Sequence, residues 1–374
     1  MKKKICIFCS LSSFNTGMPI STYKLAAGLV REGRFDVCAV LPEEGDLGSR
    51  LRGAGAGVTV IPFNRVRAKP ALLLLFVLTY FTAGFRFYRF IKKRGIDIVH
   101  FSDIIDAPFY PWAKLAGARV VGHVRVCTGG AIIRRIFRCW AQFFCSRIIT
   151  VSKFTKCYYG FGKRAAVIYN PGPDRENFNF NATAPIPPNI LTVASFRYEK
   201  GHHNFLKIAS SIIKKYPSKQ PRFTIIGGKV PGHEKYYNEI MGDIKRMGLD
   251  GCLTVTDNIP HEQVAAIMFD AAILLHVPDW EEALGGVVLE AMASGAAVVA
   301  YDCGGVGECF TNGVSGFLVK RGKIDEVADR AVSLLSDFEL REKIVTEARK
   351  ELDAKFSMAL YIGGVEKIYD SICR

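Results

Sequence analysis

Apolar residues fall along this chain in two rhythms. Short runs rich in β-branched and aliphatic residues occur at Ile5–Cys9, Val37–Leu41, Ile96–Phe101, Arg119–Val126, Ile148–Ser152 and Val167–Asn170. A second series follows at Ile190–Ser195, Phe223–Ile226, Leu253–Thr256, Ala272–His276 and Ala296–Tyr301. Runs of this kind, bounded by turn residues, predict strands buried on both faces of a parallel sheet. Between and after them, apolar positions recur at helical spacing: Leu25, Ala26 and Leu29, then Lys153–Tyr159, Val327–Leu335, Arg341–Leu352 and Met358–Ile372. Strands alternating with helices specify an α/β chain. At 374 residues it exceeds one ordinary core, so two domains are expected. The Pro/Gly-rich stretch NPGPDRENF, continuing to PIPPN at Pro185–Asn189, is the best linker between them.

One segment breaks the rhythm. Pro70 to Phe85 is a 16-residue run without a charge. As a helix it would reach about 24 Å, short of the roughly 30 Å hydrocarbon core of a bilayer. It predicts a buried or half-buried helix rather than a membrane span. Arg65, Arg67 and Lys69 precede it; Arg86, Arg89, Lys92, Lys93 and Arg94 follow. The segment Ala131–Arg147 repeats this mixture, with Arg134 and Arg138 on one face and Ile133, Phe137 and Trp140 near another. Apolar and aromatic side chains beside basic ones are the composition of an interfacial membrane helix.

The charge count strengthens that expectation. The net of +15 is lopsided: residues 1–175 hold 28 Lys and Arg against 9 Asp and Glu, and residues 176–374 hold 22 against 26. The first half is therefore +19 and the second −4, which points to an anionic membrane surface as a partner of the first half. No nucleic-acid module accompanies the charge, so no nucleic-acid partner is expected. Eleven cysteines show no metal spacing beyond the single CIFC at Cys6 and Cys9, and no metal site is expected. Their odd number, and a start (MKKKICIFCS) that reads as a first strand rather than a signal peptide, suggest a reducing, cytoplasmic location.

Candidate chemistry concentrates in Asp279–Val319. Glu282 and Glu290 lie eight positions apart around Gly285-Gly286, and Gly304-Gly305 forms a second glycine turn. Glycines let backbone approach a ligand, and a helix N-terminus favours anionic groups. The stretch is expected to form a site for a phosphate-bearing sugar compound. Arg197 and Lys200 sit in a βα loop, where two cations suit a diphosphate. Gly228 ends another strand and Gly17 lies between the first strand and first helix, a lone glycine without a GxGxxG fingerprint; both are loop candidates. His123 falls near the end of a predicted strand, where structural and functional roles both remain open.

The chain resembles, almost end to end, the retaining glycosyltransferases with two Rossmann domains (the GT-B type), and among them the group 1 family, also called family 4. The resemblance is carried by the E-x7-E spacing Glu282-ALGGVVL-Glu290, the text EAMASGAAVVAYDCGGVGECFTNGVSGFLV, and the blocks DIVHFSD, VSKFT, YNPGPDRENF and SFRYEKG. It implies two Rossmann-like domains facing a central cleft: an acceptor-side domain over about 1–175 and a nucleotide-sugar-binding domain over about 176–355, with 356–374 crossing back to the first. It implies that Glu290 binds the ribose, that Glu282 lies by the transferred sugar, and that Gly285, Gly286 and Val287 meet sugar and diphosphate. Arg197 and Lys200 would neutralise the leaving diphosphate, His123 would face the donor sugar, and the loop around Gly17 would close over acceptor or phosphates. Three positions depart from the common pattern: Ser195 where an arginine is frequent, Gly286 where a larger residue is, and Ala297 where proline is.

The expected reaction is a metal-independent transfer without cofactor, from a nucleoside-diphosphate sugar to a glycan acceptor, lipid-linked, in surface polysaccharide or lipopolysaccharide synthesis. The protein would sit peripherally on the inner face of the cell membrane. The alternatives are a sugar-nucleotide epimerase or phosphorylase on the same fold, or a non-catalytic membrane-bound partner of a glycan assembly.

Overall fold

A computed structural model describes residues 2–14, 17–65, 70–174, 178–183, 187–217, 220–257 and 259–373, without the side chains of 70–76, 78 and 261. Arg67 and Lys69 of the basic flank, and 175–177 and 184–186 of the expected linker, lie outside these residues. The chain divides into two compact units, Met1–Pro171 with Met358–Arg374, and Gly172–Ser357.

The first unit is built on seven strands: β1 (Lys3–Phe8), β2 (Phe35–Leu41), β3 (Gly57–Val60), β4 (Ile98–Phe101), β5 (Arg119–Val124), β6 (Arg147–Thr150) and β7 (Ala165–Val167). They pair in parallel in the order β3-β2-β1-β4-β5-β6-β7. The second unit has β8 (Asn189–Val193), β9 (Arg222–Ile226), β10 (Leu253–Thr256), β11 (Ile273–His276), β12 (Ala297–Tyr301) and β13 (Phe317–Val319), ordered β10-β9-β8-β11-β12-β13. Each is a Rossmann-like sheet whose order reverses beside its first strand, between β1 and β4 and between β8 and β11. Ligands of such sheets bind beyond the strand carboxyl ends at that reversal.

Both faces of the first sheet are covered, which explains its unbroken apolar runs. One face packs Phe8, Phe87, Phe101 and Phe109 as an aromatic cluster, with the Phe8 centroid about 5 Å from each of Phe63, Phe87, Phe101 and Phe109. The other packs Ile5, Ile7, Leu25 and Leu29 against Tyr361, Ile362, Val365 and Tyr369 of the helix Met358–Ile372. That last helix thus closes the core of the first unit.

The helix at Pro70 does not stop with the uncharged run at Phe85 but continues to Arg94, because the basic residues that follow are themselves good helix formers. Ala83, Phe87 and Ile91 face inward, whereas Val77, Phe81 and Phe85 are exposed. Among the described residues no helix is long and apolar enough to cross a membrane.

Close approach of the returning helix depends on Gly28. A Cβ there would fall 2.4 Å from Ile362 Cδ1 and 2.6 Å from its Cγ1. Gly28→Val should therefore overpack this contact and lower unfolding stability by about 1–3 kcal/mol, read by urea denaturation; an unchanged midpoint would show that the helix yields freely.

Candidate active site

The site in the second unit is assembled by backbone contacts. After β8 the chain crosses β9's glycine end: a Cβ on Gly227 would lie 1.8 Å from Ala194 O, and Gly228 O accepts from Phe196 N at 3.0 Å. Gly228 thereby anchors the residue before Arg197. A 3-10 turn over Tyr198–Lys200 follows and ends at Gly201, whose φ of +74° and position 2.0 Å (Cβ) from Val277 O admit only glycine. Asp279 N donates to Glu199 O at 3.0 Å, joining this turn to the segment after β11.

That junction sets the charges. Lys200 Nζ lies 2.6 Å from Glu282 Oε1, both side chains partly buried. Burial pushes the Glu282 carboxyl up, but Lys200, His276 and Arg197 outweigh it and hold the carboxyl below its usual range. The Glu282 loop rests on the second glycine turn. Gly305 N donates to Glu282 O at 2.7 Å, and Cβ atoms on Gly304 or Gly305 would fall 2.1 Å from Glu282 O or 2.2 Å from Ala283 O. Cys309 Sγ donates to Leu284 O at 2.9 Å from below.

Gly285, at φ +101°, turns the chain into the helix Gly286–Ser294, which no side chain among the described residues caps. Its first N–H groups remain available to an anion, as the amino end of a helix favours. Gly286 is exposed with open space around its Cβ position, and Val287 is half-buried. Glu290 stands one turn further along the helix, half-buried, on the same face as Gly286. Arg197 is half-exposed and reaches Glu199 at 3.6 Å. The structure therefore brings Lys200, Glu282 and the Gly285–Val287 turn together.

The candidates of the first unit belong to the chain's other sheet. Gly17 is the exposed first residue of the helix Gly17–Glu32, next to positions 15 and 16 outside the described residues. His123 is on β5, fully buried, its Nδ1 3.1 Å from His100 Nε2. Around it, at the carboxyl ends of β1, β4 and β5, lie buried polar groups. Arg125 donates to Asn170 Oδ1, Tyr361 Oη and Ser102 O. Asp103 Oδ1 accepts from Ile104 N at 2.6 Å and Arg125 N at 3.3 Å. Burial pushes Asp103 up to about 6 and Asp106 up to about 7.

Two family models partition the chain along these lines. Residues 15–171 match Glycosyltransferase Family 4, and residues 174–351 match Glycosyl transferases group 1. The chain belongs to the group 1 glycosyltransferases. A glycosyltransferase of Methanocaldococcus jannaschii without assigned activity is 26% identical over 297 residues, covering 75% of this chain and 77% of that protein. An alpha-D-kanosaminyltransferase of Streptomyces kanamyceticus is 29% identical over 187 residues, covering 50% of this chain and 46% of its own length. The crystal structure of HepE from Anabaena, in complex with UDP and glucose, superposes with a TM-score of 0.82 over 99% of this chain and 100% of that one, at 18% identity. Its likeness shows the GT-B fold of two Rossmann-like domains.

Against the family pattern, two polar groups in the second unit escaped the sequence reading. His276 ends β11 and is buried; burial, with Lys200, outweighs Glu282 and lowers its pKa to about 4. Only its place at a strand end marked it, a signal shared by many structural histidines. Asp279 is held by His203 Nε2 at 2.6 Å and Asn204 Nδ2 at 3.0 Å, and His203 Nδ1 meets Tyr236 Oη at 3.0 Å. The HHN tripeptide after Gly201 gave no hint of this, since its partners are 33 and 75 positions away.

A stability prediction comes from His276 and from His202, whose pKa burial lowers to about 4 as well. The unfolded chain takes up these protons near pH 6.5, the folded chain only near pH 4. Stability of the second unit should be full above pH 6.5 and lost progressively between about 6.5 and 4, by on the order of 3 kcal/mol per histidine. His276→Gln should flatten the profile in that window; an unaltered profile in urea titrations would remove His276 as its source.

Proposed function

We propose that this glycosyltransferase moves a sugar, with retention and without a metal ion, from a nucleoside-diphosphate sugar to a lipid-linked glycan acceptor in surface polysaccharide synthesis. The observation that carries the proposal is the Lys200 Nζ–Glu282 Oε1 contact of 2.6 Å beside the uncapped amino end of the Gly286–Ser294 helix. Nucleotide sugar as donor is also supported by the UDP-glucose complex of the Anabaena protein.

In this reading Lys200 is the cation that leaves Glu282 for the donor diphosphate. Lys200, Arg197 and the amides of Gly286 and Val287 stabilise negative charge as the phosphate departs. Glu282, already ionised, supports the positive charge that grows on an oxocarbenium-like sugar. Glu290 accepts from the ribose hydroxyls. His123 offers its imidazole to the substrate. The cations and amides supply the charge stabilisation that a metal ion provides elsewhere.

Lys200→Ala and Glu290→Ala should each cut sugar transfer by roughly 100- to 1,000-fold with little change in thermal midpoint. Retained turnover in either variant overturns the assignment of that residue. Consumption of nucleotide sugar in the absence of any acceptor would instead favour an epimerase or phosphorylase.

The membrane part of the proposal is supported by the first unit's surface. On the helix Ala131–Phe144, Ile132 is 77% and Phe143 70% exposed, with Ile136 and Trp140 beside them. Phe137 of the same helix is partly buried against the core, and Trp140 Nε1 donates to Ala107 O at 2.7 Å. This helix and Pro70–Arg94 both adjoin the short helix Tyr110–Leu115, where Leu115 is 69% exposed and Lys114 Nζ lies 4.9 Å from the Phe143 ring. Arg135, Arg86, Arg89, Lys92 and Lys93 are exposed on these helices. Basic residues near an anionic surface contribute about 1 kcal/mol each, and apolar side chains add insertion. The protein should sediment with phosphatidylserine vesicles at low salt, and Ile132→Asp with Phe143→Asp should weaken this binding by roughly tenfold or more. Failure of the wild-type chain to sediment at low salt would sink the membrane assignment.

A further inference from the structure

Two histidines of the first unit and a tyrosine of its returning helix form a chain of which the reaction scheme uses only His123. His100 on β4 and His123 on β5 project from the sheet face covered by the helix Met358–Ile372. His100 Nε2 is 3.1 Å from His123 Nδ1, and His100 Nδ1 is 2.8 Å from Tyr369 Oη. All three side chains are closed to solvent. The Tyr369 ring packs edge-on to Phe35, among Ile98, Val121 and Ile372. At the other end, His123 Nε2 is buried without a hydrogen-bond partner among the described residues.

The order of this chain follows from counting protons. Burial, and then the Arg125 guanidinium, push both imidazoles well below their usual pKa, so each is neutral and has one N–H. With the phenol O–H there are three protons and two links, so one proton is left at an end. If His123 donates to His100 and His100 to Tyr369, the phenol hydrogen is stranded among apolar side chains. If Tyr369 donates to His100 and His100 to His123, the surplus proton is on His123 Nε2. A phenol is a stronger donor than a neutral imidazole, and an imidazole nitrogen is a stronger acceptor than a phenol oxygen. The second order wins.

We infer that Tyr369 Oη–H donates to His100 Nδ1 and His100 Nε2–H donates to His123 Nδ1, which fixes His123 as a donor offering Nε2–H to an acceptor oxygen of the substrate. His100 and Tyr369 are positioning residues: they touch no substrate and act by setting the tautomer and angle of His123. A substrate oxygen at Nε2 completes the hydrogen bonding of the whole chain, so binding stabilises the same proton order that the free protein already favours. The substrate half of this inference rests on the proposed place of His123 in the reaction; the proton order does not.

The test is a long-range proton–nitrogen spectrum of the full chain labelled with 15N-histidine, with His100→Gln and His123→Gln for assignment. His100 and His123 should each show a pyrrole-like Nε2 and a pyridine-like Nδ1. A protonated Nδ1 on His123 overturns the proposal. Tyr369→Phe removes the donor that biases the chain, so His123 should become a mixture of tautomers, with transfer reduced by roughly 2- to 10-fold in kcat/KM, the scale of one hydrogen bond. A purely structural role for Tyr369 leaves the tautomer of His123 unchanged, and that result also overturns the proposal. If the spectra match while His123→Gln transfers at the wild-type rate, the proton order stands and the place of His123 in the reaction falls.

Discussion

Four glycines that meet other backbone carbonyls with no side chain between set the geometry on which the second unit depends. Gly201 lies against Val277, Gly227 against Ala194, Gly304 against Glu282 and Gly305 against Ala283, each so close that a Cβ would fall within about 2.2 Å of a carbonyl oxygen. These contacts pull the segments after β8, β9, β11 and β12 into one layer. Lys200 and Glu282, 82 positions apart, meet there because their backbones are already in register. The pair is thus a consequence of main-chain packing, and its electrostatics are built on it: an amine close enough to hold a half-buried carboxylate ionised. A methyl group at any of the four positions would widen the layer and part the charges, although none of the glycines touches them.

The two units use polar burial differently. In the second, charged groups are partly exposed and paired at 2.6 Å, positions from which an arriving anion can draw one partner away. In the first, Arg125, Asp103, Asp106, His100 and His123 are closed in behind the sheet and tied to two tyrosines of the last helix. Burial favours the neutral forms of the two histidines there, and between them it is the hydrogen-bond order that is specified rather than the charge. The outer surface of the same unit reverses the arrangement, with bare isoleucine and phenylalanine among arginines and lysines on the helices Ala131–Phe144 and Pro70–Arg94.

Much of this was legible in the sequence, for identifiable reasons. Strands buried on both faces produce unbroken apolar runs, so the α/β class and the two-sheet division were readable from patterning, and the family text around Glu282 and Glu290 carried the GT-B fold. Lys200 and Glu282 were both marked as candidates, but nothing in their spacing told that they touch. That contact depends on Gly201 and Gly305, which as isolated letters look like any turn glycine. Helix ends were less legible: basic residues after Phe85 read as a boundary, although lysine and arginine extend a helix as readily as they flank one. In Ala131–Phe144 helical spacing showed that an apolar stripe exists without showing which of its residues, such as Phe137, turn to the core. Networks such as Asp279–His203–Tyr236 were invisible, since their members are scattered and each residue type is common in loops.

The returning helix has a consequence for how the chain is made. Residues Met358–Ile372 supply Tyr361, Val365 and Tyr369 to the first unit's core, yet they leave the ribosome after every residue of the second unit. The second unit is continuous from Gly172 to Ser357 and has all of its own strands in hand before synthesis ends. The first unit must wait with one face of its sheet only partly covered while some 186 residues are added. The amino-terminal half is therefore the last to finish folding, and the vulnerable species during synthesis is a half-covered sheet of aliphatic side chains rather than an unfolded tail.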